Sequence, residues 1–171
     1  MPTASNSARR ARALLGTFVE IEVAGAAPPA MQAAIDAAFA AVAEVHRLMS
    51  FHDGASDVGR LNRAAGRRPV AVHPWTYQVL QAAVELSQRS GGLFDVAVAP
   101  VLQDLGLLPS LSRRGAPSSS VREPATTAAI ALRPDRAVRF HHPALRIDLG
   151  GIAKGFAVDR AVEVLRARGM P

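Results

Sequence analysis

The chain has 171 residues, 49% of them hydrophobic and 20% charged, with a formal net charge of +6. That length and balance suit a folded domain with a real core and exclude a disordered or fibrous chain. The absence of cysteine excludes disulfides, thiolate metal sites, a cysteine nucleophile and a lipid-bearing cysteine.

The 19 arginines are scattered as pairs such as Arg9-Arg10, Arg67-Arg68 and Arg113-Arg114, without interleaved aromatics. Nucleic-acid binding is therefore not expected. The basic N-terminus lacks the apolar run of a leader, and no window approaches a membrane span. A soluble, unexported chain is the expectation, with residues 1–13 disordered.

Residues Thr17 to Val23 alternate, with Val19, Ile21 and Val23 on one face and Phe18, Glu20 and Glu22 on the other, which predicts a half-buried strand. Pro28-Pro29 opens a long alanine-rich helix to about Leu48, with Met31, Ile35, Ala38, Phe39, Val42, Val45 and Leu48 as its core stripe. Ser56 is a candidate N-cap for a short helix beginning near Asp57. A second clear helix starts near Pro74 and stops before Gly91. An extended stretch follows, then a short helix from about Pro100.

Residues 107–127, rich in Ser, Pro, Arg and Gly, predict a flexible loop. Beyond it, Ala137–His141 and Leu145–Leu149 suggest a hairpin turning at His142-Pro143-Ala144. The last helix spans about Ala153 to Arg168, with Phe156, Ala157, Val164 and Leu165 available for burial. This order gives an α+β fold, a mixed sheet with packed helices, not a doubly wound one.

Chemistry concentrates at "IDLGGIAKG". Gly150 and Gly151 allow close backbone approach, the helix start that follows favours an anion, and Lys154, the only lysine, adds a mobile positive charge. A lysine on an exposed helix face is the plainer account of Lys154. Asp148 supplies a carboxylate before the turn. The glycine spacing is that of neither a Walker A loop nor a GxGxxG turn.

In "SGGLFDVAVAP", a double glycine precedes Phe94 and Asp95; taken alone this is a helix cap followed by a buried aromatic. His52, Asp53 and Asp57 fit a metal cluster or a loop with an acidic helix start equally well. No serine has a recognisable His/Asp partner, and no residue is assigned a catalytic role.

In order, "LLGTFVEIEV", "MSFHDGASDVGRLNRAAG", "SGGLFDVAVAPVLQDLG" and "IDLGGIAKGFAVDRAVEVLRARG" resemble the FAD:protein FMN transferase family, the ApbE flavin transferases. The resemblance implies that residues 14–171 form the N-terminal portion of such a domain, with about another half to follow. It implies FAD as donor, Mg²⁺ as metal, and transfer of FMN to a threonine hydroxyl of a target flavoprotein with release of AMP.

Leu15 stands where the family often has a flavin-contacting methionine, and His52 where a tyrosine commonly stacks on the cofactor. Leu93, Phe94 and Asp95 match the flavin-site segment, Asp148 and Lys154 match cofactor-contacting positions, and Gly151 matches a position whose carbonyl ligates the metal. The acidic and threonine side-chain ligands belong to the family's second half, which a complementing chain or an oligomer could supply. The family often works in the periplasm or anchored to a membrane. A non-catalytic flavin-binding remnant and a basic structural or nucleic-acid-binding module are the competing accounts.

Overall fold

The computed structural model describes residues 7–109 and 125–170. The chain divides into two compact units, one of residues 1–48 with 152–171, the other of residues 49–151.

The first unit is built from β1 (Ser7–Leu14), β2 (Thr17–Ala24), α1 (Pro28–Met49) and α5 (Ala153–Ala167). β1 and β2 form an antiparallel pair closed by the two-residue turn Leu15-Gly16. Both turn residues have positive φ, 56° and 71°, as a type I′ hairpin turn requires.

Residues 7–13, expected to be disordered, are thus a strand. Arg10 and Arg12 reach Asp36 of α1 at 2.8 and 2.9 Å, and the Arg12 guanidinium stacks 4.6 Å from the centre of the Phe39 ring. Those long-range partners, with the ladder to β2, order a stretch whose composition alone promised nothing. Residues 1–6 of that expected arm lie outside the described residues.

Leucine is a poor residue for the left-handed region, which costs a residue bearing a Cβ roughly 1 kcal/mol. Leu15→Asn creates the Asn-Gly pair that type I′ turns favour and should raise stability by about 0.5–1 kcal/mol. Chemical denaturation checks this; an unchanged or lowered midpoint would argue against the turn geometry.

The faces of β2 fall as its alternation requires, Ile21 and Val23 buried and Phe18, Glu20 and Glu22 exposed. Every residue of the α1 core stripe is buried. α5 differs from expectation. Its buried positions are Ala153, Ala157 and Ala161, four residues apart, whereas Phe156, Val164 and Leu165 are only half-buried. Alanine spacing permits close backbone packing, and the larger side chains flank that seam.

The second unit holds α2 (Asp57–Ala64), β3 (Val70–Ala71), α3 (Pro74–Arg89), α4 (Ala99–Asp104), a 3-10 turn at Thr127–Ala129, β4 (Ile130–Leu132) and β5 (Ala137–Phe140). Its sheet runs β3-β5-β4, both pairings antiparallel. The hairpin is therefore β4–β5, closing over Arg133 to Arg136, and not the expected pairing of 137–141 with 145–149.

Residues 145–149 are not a strand because a side chain takes the place of a neighbour. Asn62, fully buried on α2, accepts from the Ile147 N–H at 2.8 Å and donates to its carbonyl at 3.0 Å. The expected loop at 107–127 is also shorter at its end, since Thr127 is buried and hydrogen-bonded. Residues 110–124 of that loop lie outside the described residues.

The α+β class stands, with the strands in two antiparallel sheets. No helix among the described residues is long and apolar enough to cross a membrane.

Candidate functional site

In the second unit, the glycine turn begins with a carboxylate that locks it. Asp148 donates its N–H to the Val96 carbonyl at 2.9 Å, and its Oδ2 accepts from the Gly150 N–H at 3.0 Å. A Cβ on Gly150 would sit 2.9 Å from that oxygen, so this glycine is needed for close approach and not for positive φ. Gly151 lies against Phe94, where an added Cβ would come 3.6 Å from the ring.

The Val96 bond and the Phe94 contact bring Phe94, Asp95, Asp148 and Gly151 together. They come from segments separated by the loop and by the β4–β5 hairpin.

Asp95 is held from two sides. Its Oδ1 accepts from the Ala97 N–H at 2.7 Å and from the Thr127 hydroxyl at 2.5 Å, while the Thr127 Oγ1 accepts from the Val96 N–H at 3.1 Å. A buried hydroxyl thus fixes the carboxylate and the backbone beside it. Thr127 and Asn62 are the positioning residues that sequence reasoning passes over. Their only signals are a threonine opening a short pre-strand turn and an asparagine on the apolar face of α2.

Leu93 projects into solvent at 94% exposure from the turn made by Gly91 and Gly92, both at positive φ. A recess of about 310 Å³ beside this turn is lined by Gly91, Gly92, Asp95 and Thr127 among others.

His52 is exposed, its ring edge-on to Phe51 with centroids 6.1 Å apart. The cluster expected as one alternative at His52, Asp53 and Asp57 resolves into capping. Asp53 accepts from Ala55, Asp57 accepts from the His73 N–H at 2.8 Å and pairs with Arg60, and Ser56 caps α2 through Gly59.

The other two assigned residues lie in the first unit and meet there. Leu15 and Lys154 line one groove of about 420 Å³, walled by β2 and by apolar residues of α5 such as Val158, Val162 and Leu165. The Leu15 N–H donates to His46 Nδ1 at 2.9 Å, which ties the turn to the end of α1.

α2 and α3 are capped by Ser56 and His73, but Ile152 gives α5 no side-chain cap and its first turn carries no acid. That helix start, with Lys154 in its first turn, is electrostatically suited to an anion.

Among the described residues no three His, Asp or Glu side chains converge as a metal site. One carbonyl at Gly151 does not make the octahedral oxygen shell that Mg²⁺ demands. The described residues do not by themselves fit a Mg²⁺ site.

Solved structures share this α+β architecture. The ApbE protein of Thermotoga maritima is 26% identical and superimposes with a TM-score of 0.80, over 95% of this chain and 53% of its own. The flavin transferase ApbE of Vibrio cholerae, 24% identical, shares the fold at a TM-score of 0.82 over 98% of this chain and 55% of its own.

The chain belongs to the ApbE family, whose profile matches residues 15–171. It is 26% identical over 172 aligned residues to the FAD:protein FMN transferase of Treponema pallidum (strain Nichols), covering 94% of this chain and 47% of that protein. To the FAD:protein FMN transferase of Klebsiella pneumoniae (strain 342) it is 33% identical, over 70% of this chain and 39% of that protein. The chain therefore spans about half the length, or less, of the curated relatives it matches.

Proposed function

We propose that this chain supplies the FAD-binding portion of a FAD:protein FMN transferase. The observation that carries this reading is the uncapped start of α5 bearing Lys154, in a groove that also includes Leu15.

In the proposed reaction a threonine hydroxyl of a target protein attacks the FMN phosphorus of FAD. The new Thr Oγ–P bond forms as the bond from that phosphorus to the bridging pyrophosphate oxygen breaks. AMP leaves with the bridging oxygen, and the hydroxyl proton passes to a base that these residues do not identify. Charge gathers on the phosphoryl oxygens and on the departing AMP, and a lysine with helix-start amides offsets it.

In the second unit, Leu93, Phe94 and His52 are the residues that the family resemblance assigns to the flavin, and Asp95 and Asp148 hold the backbone beside Phe94 and the glycine turn. If Mg²⁺ takes part, the Gly151 carbonyl would be one ligand, and the other ligands would have to come from outside the described residues.

A flavin-binding, non-catalytic chain is the second reading, favoured by the lack of a convergent metal site among the described residues. A nucleic-acid module draws less support. Arg60, Arg63, Arg67 and Arg68 do line a recess of about 470 Å³ in the second unit, but no aromatic lines it.

The test is titration of the purified chain with FAD, followed by flavin fluorescence, and assay of AMP release with Mg²⁺ or EDTA. FAD should bind, and Lys154→Ala should weaken it about tenfold, ~1.4 kcal/mol, at unchanged thermal stability. Equal affinity in the variant removes the phosphate role, and failure of the parent chain to bind FAD sinks the reading. Chelator-sensitive AMP release would assign catalysis to this chain and discard the non-catalytic alternative.

A further inference from the structure

Positive charge gathers in the second unit where α2 ends. Arg60 and Arg63 stand three residues apart on α2, and Arg67 and Arg68 follow in the turn, their N–H groups donating to the Ala64 carbonyl at 2.9 and 3.4 Å. All four side chains line one recess of about 470 Å³, together with Val70 and Ala71 of β3.

A fifth arginine comes close. Gly66 packs against Pro143 so tightly that a Cβ on it would lie 2.7 Å from the Pro143 Cα, which brings the 143–146 segment to the turn. Arg146 donates there to the carbonyls of Pro143 and Leu145, at 2.8 and 2.7 Å. Burial, and after it the charge of Arg67, lower its pKa from the ordinary guanidinium value.

These charges are unequally employed. Arg60 is fixed in place, paired with the Asp57 carboxylate at 3.3 Å and donating to the Ala71 carbonyl. Among the described residues no carboxylate pairs with Arg63, Arg67, Arg68 or Arg146. The arginine cluster on β1 is compensated instead, with Glu20 and Asp36 opposite Arg9, Arg10 and Arg12. The carbonyl end of α2 favours a cation, but its roughly half a unit of charge does not offset several.

We propose that this recess binds an oligophosphate, two or three linked phosphoryl groups carried as the inorganic anion or on a nucleoside. Arg63, Arg67 and Arg68 are its ligands, Arg60 is a fixed wall, and Arg146 adds to the field.

Three features select that chemistry. Guanidinium forks pair bidentately with phosphoryl oxygens, and linked phosphoryl groups concentrate negative charge where the free guanidiniums gather. No aromatic lines the recess, so a base has nothing to stack on and a nucleic-acid strand gains backbone contacts only. An acidic peptide would extend the sheet along the edge strand β3, yet Arg60 already occupies the Ala71 carbonyl there. The recess belongs to the second unit and Lys154 to the first, so the inference does not rest on the transferase reading.

The experiment is isothermal titration calorimetry of the chain with inorganic triphosphate in low-salt buffer free of divalent cations. One triphosphate should bind per chain. Arg63→Gln, Arg67→Gln and Arg68→Gln should each weaken it about tenfold at unchanged melting temperature. Arg67→Lys keeps the charge but loses the fork, and should recover only part of the affinity. Arg166→Gln removes the same charge from an exposed position on α5 and should change nothing. Adenosine triphosphate should bind within about threefold of the inorganic anion, because no ring holds the base.

No binding at millimolar triphosphate overturns the proposal, and so does an equal loss in Arg166→Gln, which would reduce the effect to net charge. An oligonucleotide that binds more tightly than triphosphate, and loses its affinity in the same variants, would make the ligand a nucleic acid. If Lys154→Ala abolishes triphosphate binding, or Arg67→Gln weakens FAD as Lys154→Ala does, the recess is no separate site and the proposal falls. Loss of FAD binding in Lys154→Ala with triphosphate binding intact keeps the two sites distinct.

Discussion

Asn62→Leu should destabilise the second unit by about 3 kcal/mol, although the two side chains are nearly equal in size. Asn62 is 1% exposed and makes both hydrogen bonds of Ile147, at 2.8 Å to its N–H and 3.0 Å from its carbonyl. Ile147 is itself fully buried, so water cannot replace the lost partner. Each orphaned buried group costs roughly 1–3 kcal/mol, against a gain of under about 2 kcal/mol from the added apolar surface.

Asn62→Asp sharpens the result. A carboxylate still accepts from the Ile147 N–H, yet it faces the carbonyl oxygen without a proton and is buried as a charge. It too should lose stability, and the loss should shrink as pH falls and the acid protonates. Urea unfolding of the three proteins measures this. A loss below about 0.5 kcal/mol for the leucine variant would mean that the 145–149 segment finds other partners. The functional consequence follows from chain order, because Ile147 immediately precedes the Asp148 carboxylate that locks the glycine turn.

Gly59→Ala is expected to cost about 2 kcal/mol, opposite in sign to what helix propensity alone dictates. In an ordinary helix interior the change would gain roughly 1 kcal/mol. At Gly59, however, a Cβ would lie 2.8 Å from the Gly54 Cα and 2.9 Å from its carbonyl oxygen. Both are backbone atoms in the loop just after His52, and backbone does not swing aside as a side-chain tip does. Overpacking of this kind costs typically 1–3 kcal/mol, occasionally more, and here it must also overcome the propensity gain.

Gly155 in α5 is the internal control. Nothing stands within 4 Å of its added Cβ, so Gly155→Ala should be neutral or stabilising in the same thermal melt. Equal effects at the two glycines would refute the steric account of Gly59.

The elements that were legible share one property, that their signal is local. β2 and α1 were visible because burial of one face imposes a period of 2 or 3.6 on the sequence itself. The ends of α3 were visible because proline and glycine act through their own dihedral angles. The family was legible for a related reason. Turn glycines, a lysine and aspartates stand close together in short ordered words, from which a family resemblance can be read.

The errors have a common cause as well. The stretch 145–149 has a strand's composition, and Asn62, 85 positions earlier, takes both backbone hydrogen bonds of Ile147 while the Val96 carbonyl takes the Asp148 N–H. The arginines of β1 look like a solvated arm until Asp36 and Phe39 stand opposite them. Thr127 looks like the end of a polar loop until Asp95 and Val96 claim its hydroxyl.

By itself, then, the sequence determined the α+β class, the main helices, the hairpin strand β2 and the ApbE family, because dihedral preference, amphipathic period and motif spacing are written in neighbouring residues. The tertiary structure alone decided that Leu15 and Lys154 share one groove, and that Phe94 and Asp148 flank one glycine turn. Those facts depend on which distant groups satisfy a buried donor or acceptor, and no local pattern encodes that choice.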